Sequence, residues 1–339
     1  MQTMSPHSAV PEVATMNAIV QTAYGSPDVL QLKDIERPVP QAHEVLIKVQ
    51  ASSVHAGVWH LMRGTPFLIR LVFGGLRQPK IRILGNDVAG RIEAVGQDVT
   101  EFQPGDEVFG DLSECGFGAF AEYVCAPATA LVAKPKSLTF AAAATVPTSA
   151  LAALQALRDV GQLQSGQQVL VNGAAGGVGS FAIQLAKAMG AEVTGVCRTD
   201  KVAMVRSLGA NQVIDYTQTD ITQTGQQYDL IIDAAAYRSV FDWLPTLTPQ
   251  GTYVLVGGAT PRFFQAMLLE PMITQITRKQ VKCLTAAVQQ DDLRVLKNLV
   301  ETGKIVPYVD RTYPLAEVPA AIRYLEQRQV QGKVAIQIG

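Results

Sequence analysis

Cysteine is scarce in this chain, and its four copies lie far apart with no Cys-x-x-Cys pair. This spacing excludes a disulfide framework and a cysteine-based structural zinc site. It suits a reducing compartment, so we expect a cytoplasmic protein. A strong excess of charge is also missing, because the formal net charge is −1. That balance argues against nucleic acid or an anionic membrane as the main partner. The cysteines are Cys115, Cys125, Cys197 and Cys283.

The N-terminal residues show no signal-peptide pattern. Residues 1–15 are polar with scattered Ala, Val and Pro, and we expect them to form a flexible tail. We also expect no uncharged apolar run long enough to span a bilayer. Apolar residues are nevertheless plentiful. The chain has 339 residues, 48% of them hydrophobic and only 17% charged, which predicts about two domains with large cores.

The first half of the chain reads as short strands separated by Gly and Pro. Such a pattern predicts a small, mostly antiparallel barrel. Ala-rich helical sequence follows over 140–158, and Pro147 should kink or divide it. The predicted strands lie within 18–20, 30–32, 44–49, 88–96, 102–109 and 119–124.

From residue 168 onwards, strands and helices alternate, which predicts a doubly wound parallel sheet with helices on both faces. The helix at 201–208 should end in a left-handed cap at Gly209. After residue 281 the pattern becomes mixed, and the last strand, 333–338, is expected to return to the barrel. The predicted strands of the sheet are 169–171, 192–197, 212–215, 228–233 and 252–256.

A turn of small residues joins the first strand of this sheet to its helix. In such a turn one small residue makes the bend, a second lets the backbone approach a pyrophosphate, and a third lets the helix pack on the strand. Free N–H groups at the positive helix end would meet the phosphates. The turn therefore predicts a dinucleotide site, the alternative being a tight strand–helix turn without a ligand. Its residues are Ala174, Gly176, Gly177, Val178 and Gly179.

Two cations indicate which dinucleotide binds. Cys197 and Arg198 end the second strand of the sheet, where an NAD-preferring site usually carries a carboxylate, and Lys201 follows one helical step later. A 2′-phosphate is attracted by two cations, and Arg can bind it bidentately. We therefore predict NADPH, the alternative being that both residues are ordinary surface charges. Gly257 and Gly258 end a later strand, where the nicotinamide should lie.

Several separated motifs occur together in one order: Gly85-Asn-Asp-Val-Ala-Gly90, Pro104-Gly-Asp-Glu-Val108, the small-residue turn, and Leu208-Gly-Ala-Asn-Gln-Val-Ile-Asp-Tyr216. With them the chain resembles the medium-chain dehydrogenase/reductase superfamily, specifically its zinc-free quinone oxidoreductase branch. The likeness covers nearly everything from residue 16 to residue 339.

The resemblance implies an α/β fold with two domains, usually assembled as a dimer. A GroES-like β-barrel catalytic domain would comprise 16–140 and 282–339, and a doubly wound Rossmann domain with a parallel sheet would comprise 141–281. By the same resemblance, Lys201 and Tyr216 contact the 2′-phosphate. Arg328 would reach the phosphate from the barrel domain.

Zinc members of this superfamily bind catalytic zinc with a Cys, a Gly-His-Glu motif and a later Cys. The matched positions here are His55, Gly85-Asn86-Asp87 and roughly Thr148. Asn86 and Thr148 are poor zinc ligands, so we expect no metal. Without a Lewis acid, oxidation of simple alcohols becomes unfavourable, whereas reduction of a conjugated C=C bond remains feasible because the charge delocalises as an enolate.

His55 stands where the family commonly has a cleft Asn. One hypothesis is that His55 donates a hydrogen bond to the substrate carbonyl or protonates the enolate. The alternative is a loop histidine bonded to backbone. His60 is interpreted as structural, on the following helical turn.

The expected function is NADPH-dependent, metal-independent reduction of quinones or α,β-unsaturated carbonyls by hydride transfer. An enoyl-thioester reductase and an NADPH-binding protein with little turnover are the alternatives. The expected substrate is a small apolar carbonyl or quinone. The apolar segments 67–73 and 261–276 agree with an apolar substrate without specifying it, and 261–276 could form a mobile wall of the pocket that favours large apolar substrates. For 261–276, a peripheral membrane contact or helix packing near a dimer seam also stays open.

Overall fold

The computed structural model describes residues 14–73, 75–258 and 260–339. Most of the predicted N-terminal tail, residues 1–13, lies outside the described residues. Thr15 already belongs to the first strand, so the tail prediction extended too far. The strands are β1 (Thr15–Gln21), β2 (Leu30–Glu36), β3 (Glu44–Val54), β4 (Asp87–Val95), β5 (Glu107–Asp111), β6 (Tyr123–Pro127), β7 (Leu131–Ala133), β8 (Gln168–Asn172), β9 (Glu192–Cys197), β10 (Gln212–Asp215), β11 (Tyr228–Asp233), β12 (Leu247–Leu255), β13 (Gln280–Cys283), β14 (Val309–Pro314) and β15 (Lys333–Gln337).

The α-helices connect these strands, and one π-helical turn, Ala156–Val160, extends the fourth helix. The helices are α1 (Ala56–Arg63), α2 (Leu68–Val72), α3 (Phe140–Ala143), α4 (Pro147–Gln155), α5 (Gly177–Ala188), α6 (Val202–Ser207), α7 (Val240–Trp243), α8 (Thr260–Thr277), α9 (Gln290–Glu301) and α10 (Val318–Glu326).

The barrel domain is organised around β3. This strand pairs antiparallel with β15, β4 and β6, and the sheet runs β14-β15-β3-β4-β5-β7. The return of β15 to the barrel brings the C-terminal segment beside β3, as the sequence indicated. The strand predicted over 119–124 starts later than expected. β6 begins at Tyr123, and Ala121 makes only an isolated bridge to Ala18.

The second domain is a six-stranded parallel sheet in the order β10-β9-β8-β11-β12-β13. Its central strands are continuous apolar runs because helices cover both faces, and Val169, Leu170 and Val171 are all fully buried. The expected doubly wound fold is confirmed. Its last strand continues to Cys283, two residues beyond the predicted domain boundary at 281. The chain order reverses between β8 and β11, and ligands bind such sheets at this switch point.

The prediction that no apolar run is long enough to span a bilayer was wrong in length and composition alone. The segment Phe140–Val160, 21 residues with a mean hydropathy of 1.4, is long and apolar enough to cross a bilayer. However, 78% of that window is buried inside the protein. The segment consists of α3, α4 and the π-helical turn, and its side chains join the core that also contains α5 and the sheet. It is therefore packed as a core helix of the second domain.

Candidate active site

A cleft of about 790 Å³ opens at the carboxyl edge of the parallel sheet. Its floor is formed by the ends of β8, β9 and β11, and its far wall by α1 and the C-terminal end of α10. A backbone hydrogen bond joins the two domains here, since Gly332 N donates to Ala175 O at 2.8 Å. Of the cofactor residues predicted from the sequence, those lining the cleft are Gly176, Gly177, Arg198, Lys201, Tyr216, Gly258 and Arg328.

The turn between β8 and α5 holds its shape through two glycines that serve different purposes. Gly173 has φ +78°, a conformation that favours glycine, and it makes the bend directly after β8. A Cβ on Gly179 would lie 2.2 Å from Gly173 O, so Gly179 is what lets α5 pack against the turn. A Cβ on Gly176 would approach only Gly173 O, at 3.4 Å, and would otherwise enter the open cleft.

Three of the predicted turn residues and one later glycine do not line the cleft. Ala174 is fully buried and packs into the core, so its small size serves packing rather than ligand contact. Gly179 likewise serves packing, because it lets α5 approach the turn. Val178 and Gly257 are half-buried and lie outside the cleft lining. Gly173 was missed, although its position directly after an apolar strand could have identified it as the turn residue.

The N-terminus of α5 faces this cleft. Gly176 is the N-cap of the helix, which has 12 residues, and no side chain caps it. The first N–H groups of a helix have no intrahelical acceptor, and the helix dipole places positive potential there. A pyrophosphate fits a site that combines free backbone donors with the space left by Gly176.

Cations also line the cleft, after β9 and after α10. Lys201 Nζ donates to Val330 O at 2.6 Å and to Arg328 O at 3.1 Å, which ties the second domain to the segment after α10. Burial lowers the pKa of the Lys201 ammonium, and nearby Arg198 lowers it further. Arg198 is exposed and pairs with Asp200 at 2.6 Å. A phosphate reaching these cations would therefore compete with Asp200 for the guanidinium.

A buried carboxylate shapes the floor of the cleft between β8 and β11. Asp233 Oδ1 accepts from Asn172 Nδ2 at 2.7 Å and from Ala236 N at 2.7 Å, and Oδ2 accepts from the Tyr253 hydroxyl at 2.7 Å. Burial raises the pKa of Asp233, and these hydrogen bonds oppose the rise. The carboxylate thereby fixes the loop after β11, whose Ala234 and Ala235 line the cleft.

One face of α1 supplies the wall of the cleft in the barrel domain. Ala56, Trp59 and His60 line it, at the i, i+3, i+4 spacing of a single helix face. The Trp59 and His60 rings lie 4.4 Å apart. His60 Nδ1 must donate to the Thr65 carbonyl, 2.8 Å away, since a carbonyl only accepts. His60, interpreted from sequence as structural, thus borders the cleft, and its helical spacing to Ala56 was the available signal.

His55 caps α1 and does not line the cleft. Gly57 N–H donates to His55 Nδ1 at 3.1 Å, so the proton resides on Nε2, which donates to Asn86 Oδ1 at 2.7 Å. Burial lowers the pKa of His55, with Lys333 adding to the effect and Asp87 opposing it. Both ring nitrogens therefore have partners within the protein, and donation to a substrate carbonyl would require one of these bonds to break.

The three positions matched to zinc ligands do come together, but as a hydrogen-bonded cluster. Asn86 Nδ2 donates to Thr148 Oγ1 at 2.7 Å and to Asp111 Oδ1 at 2.9 Å, while its oxygen holds His55. An amide and a hydroxyl are poor zinc ligands, so this donor set does not fit a catalytic zinc. Within the described residues, no three His, Cys, Asp or Glu side chains form a group that could hold a metal.

Asp87 anchors this cluster to the rest of the fold. It is fully buried, and Lys333 Nζ lies 3.2 Å from its Oδ2, while Thr148 N donates to Oδ1 at 2.8 Å. Burial opposes ionisation of the carboxyl, but Lys333 and the hydrogen bonds from Ser53 and Thr148 outweigh it and hold the pKa of Asp87 below its usual value. The network joins β3, β4, α4 and β15.

Family profiles match both parts of the chain. A profile described as "Alcohol dehydrogenase GroES-like domain" matches residues 41–136, and one described as "Zinc-binding dehydrogenase" matches residues 208–336.

Similar proteins cover almost the whole chain. "NAD(P)H oxidoreductase RTN4IP1, mitochondrial" of Bos taurus is 33% identical, over 100% of this chain and 92% of that protein. "NADPH-dependent alkenal/one oxidoreductase, chloroplastic" of Arabidopsis thaliana is 32% identical, over 95% and 79% respectively. The solved structure of the quinone oxidoreductase from Coxiella burnetii superposes with a TM-score of 0.85 at 30% identity, covering 96% of this chain and 100% of that one.

Proposed function

Because the chain belongs to the medium-chain dehydrogenase/reductase superfamily, in its quinone oxidoreductase-like branch, we propose that this NAD(P)H oxidoreductase is NADPH-dependent and metal-independent. Its proposed substrates are quinones or α,β-unsaturated carbonyls. The relatives named for alkenal/one and quinone reduction support this substrate class. One observation carries the proposal: the N-terminus of α5 and the cations Arg198, Lys201 and Arg328 line the same cleft.

The residues of the cleft divide the work of holding the dinucleotide. Gly176 and the first N–H groups of α5 would bind the pyrophosphate, and Arg198, Lys201, Tyr216 and Arg328 would surround the 2′-phosphate. NADPH supplies the hydride. The protein orients the reacting groups, excludes water and provides donors where charge develops.

The wall opposite the sheet would receive the substrate. Trp59 and the loop at Ala234 and Ala235 present apolar surface, which suits a conjugated apolar molecule better than a polar alcohol. Metal independence is supported by the Asn86 and Thr148 donor set, which does not suit zinc. A homodimer, implied by the family resemblance, is part of the proposal and is tested by sedimentation velocity.

Oxidation of NADPH, followed over a panel of quinones, alkenals and alkenones, tests the proposal. We expect turnover with at least one class, well above the rate with NADH, and no loss after EDTA treatment. Turnover that is abolished by EDTA and restored by zinc would contradict metal independence. Tight NADPH binding without turnover on any of these substrates would instead indicate a binding protein.

A further inference from the structure

The segment between α1 and β4 carries charge of one sign only. No residue from Gly64 to Asn86 is acidic, whereas Arg70, Arg77, Lys80 and Arg82 are cations. The whole chain has a net charge of −1, so this segment is a local exception to a nearly neutral protein. A local cluster of cations attracts an anionic surface even where the net charge gives no general attraction.

The same segment exposes large apolar side chains. Six of them are between 40% and 70% exposed, from the residue before α2 to the loop just after it. Such side chains scattered singly are ordinary, but a continuous group of this kind marks a contact surface. The six are Phe67, Leu68, Leu71, Val72, Phe73 and Leu76.

The exposed side chains sit on a segment that is firmly held. Arg70 Nε donates to Gly64 O at 2.9 Å, and its guanidinium lies 4.4 Å from the centre of the Tyr24 ring. Tyr24 in turn donates its hydroxyl to Gly75 O at 2.9 Å. The anchoring uses Arg70 and leaves the neighbouring apolar side chains facing solvent.

The exposed cations form no ion pair with any described residue. Arg77, Lys80 and Arg82 are all exposed, and within the described residues no carboxylate lies within 4.0 Å of any of the three. We call these three cations and the six apolar side chains the basic–apolar surface. An apolar group that can enter the acyl boundary, beside cations that can remain at the headgroups, matches an anionic bilayer.

We propose that the basic–apolar surface docks this protein on an anionic lipid membrane. An acidic protein would satisfy the cations but not a row of apolar side chains, and a second copy of the chain would bring together two surfaces of the same positive sign. The cleft lies beside this surface, because His60 lines the cleft and bonds to Thr65 at the start of the segment. Docking would thus hold the cleft close to the bilayer.

Co-sedimentation with vesicles tests the proposal without depending on turnover. Vesicles of phosphatidylcholine alone are compared with vesicles in which about one-third is phosphatidylglycerol. We expect binding to the anionic vesicles only, and weaker binding at high salt because the Debye length shrinks. The Arg77→Gln/Lys80→Gln variant should bind about 25-fold more weakly, from about fivefold per cation. Val72→Glu should lose about tenfold or more.

Matched controls separate this surface from general effects. Lys33→Gln/Lys304→Gln removes the same charge from exposed positions elsewhere, and Val39→Glu changes an apolar residue in the loop after β2 that is 83% exposed, against 70% for Val72. Both should bind as the unchanged protein does, and circular dichroism checks folding. No binding of the unchanged protein to anionic vesicles overturns the proposal. So does an equal loss in the controls, or a drop in oligomeric mass caused by Val72→Glu.

Discussion

At the scale of single residues, Arg198 should decide between the two nicotinamide nucleotides. Its side chain is exposed and, among the residues that the structure describes, forms an ion pair with Asp200 alone, so its removal disturbs little of the fold. We expect Arg198→Gln to weaken NADPH binding about tenfold, the loss of one charge-assisted contact, and to leave NADH binding unchanged. Titration calorimetry with each nucleotide measures both affinities.

Arg206 provides the control for this prediction. It is an exposed cation on α6 outside the cleft lining, so Arg206→Gln should bind both nucleotides normally. If Arg198→Gln weakened the binding of NADPH and NADH equally, the guanidinium would not be the group that binds the 2′-phosphate.

His55 and His60 should respond differently to substitution. His60 borders the cleft, so His60→Ala is expected to lower kcat/KM about tenfold with little change in stability. His55→Ala removes the N-cap of α1 and a partner of Asn86, so it should cost about 1–2 kcal/mol of stability and affect kcat/KM only a few-fold. Enone reduction and urea unfolding measure the two effects. A large loss of kcat in a fully stable His55→Ala would restore its predicted catalytic role.

The sequence placed several cleft residues well and missed others for a physical reason. Arg198 and Lys201 lie at the end of a recognisable strand, where sheet topology dictates their position. Trp59 and His60 reach the cleft because the whole barrel domain is set against the sheet edge. That arrangement depends on contacts such as Gly332 with Ala175, which are far apart in sequence.

At the scale of elements, the turn between β8 and α5 separates binding from folding. A Cβ on Gly176 would enter the cleft without a clash, so Gly176→Ala should weaken NADPH binding about tenfold at unchanged stability. A Cβ on Gly179 would collide with Gly173 O, so Gly179→Ala should cost about 3 kcal/mol of stability. Urea unfolding and calorimetry on both variants measure the contrast. Normal NADPH affinity in Gly176→Ala would place the pyrophosphate elsewhere.

Strand bounds were predicted best where a strand is buried on both faces. For β9 and β11, which lie inside the sheet, the apolar runs ended at the observed residues, because such a parallel strand has no solvent face to blur the pattern. Residues 119–122 alternate like a strand, yet their backbone bonds go to scattered partners such as Gly85 and Asn17. An alternating sequence pattern does not show which residues of another strand will pair with the segment.

At the scale of the whole molecule, the buried pair of Asp87 and Lys333 connects the barrel to α4. Lys333 Nζ lies 3.1 Å from Ser149 Oγ as well as 3.2 Å from the carboxylate. The sequence does not show that these two residues form a pair, since they are 246 positions apart. Removing one partner leaves the other as an uncompensated buried charge, which costs far more than the pair itself contributes.

We therefore expect Lys333→Met to lower the free energy of unfolding by about 3 kcal/mol at pH 7. The pKa of Asp87 is held low in the folded protein, so its stabilisation is present above the unfolded pKa and is lost as the pH falls through the folded value. In the variant, burial without Lys333 raises that pKa, so protonation relieves the penalty. The difference between the two proteins should shrink as the pH is lowered from 7 towards about 4. Urea unfolding across this range measures it, with Lys33→Met as the exposed control. A difference that stays constant with pH would mean that the lost packing of the lysine stem, rather than the unpaired carboxylate, destabilises the variant.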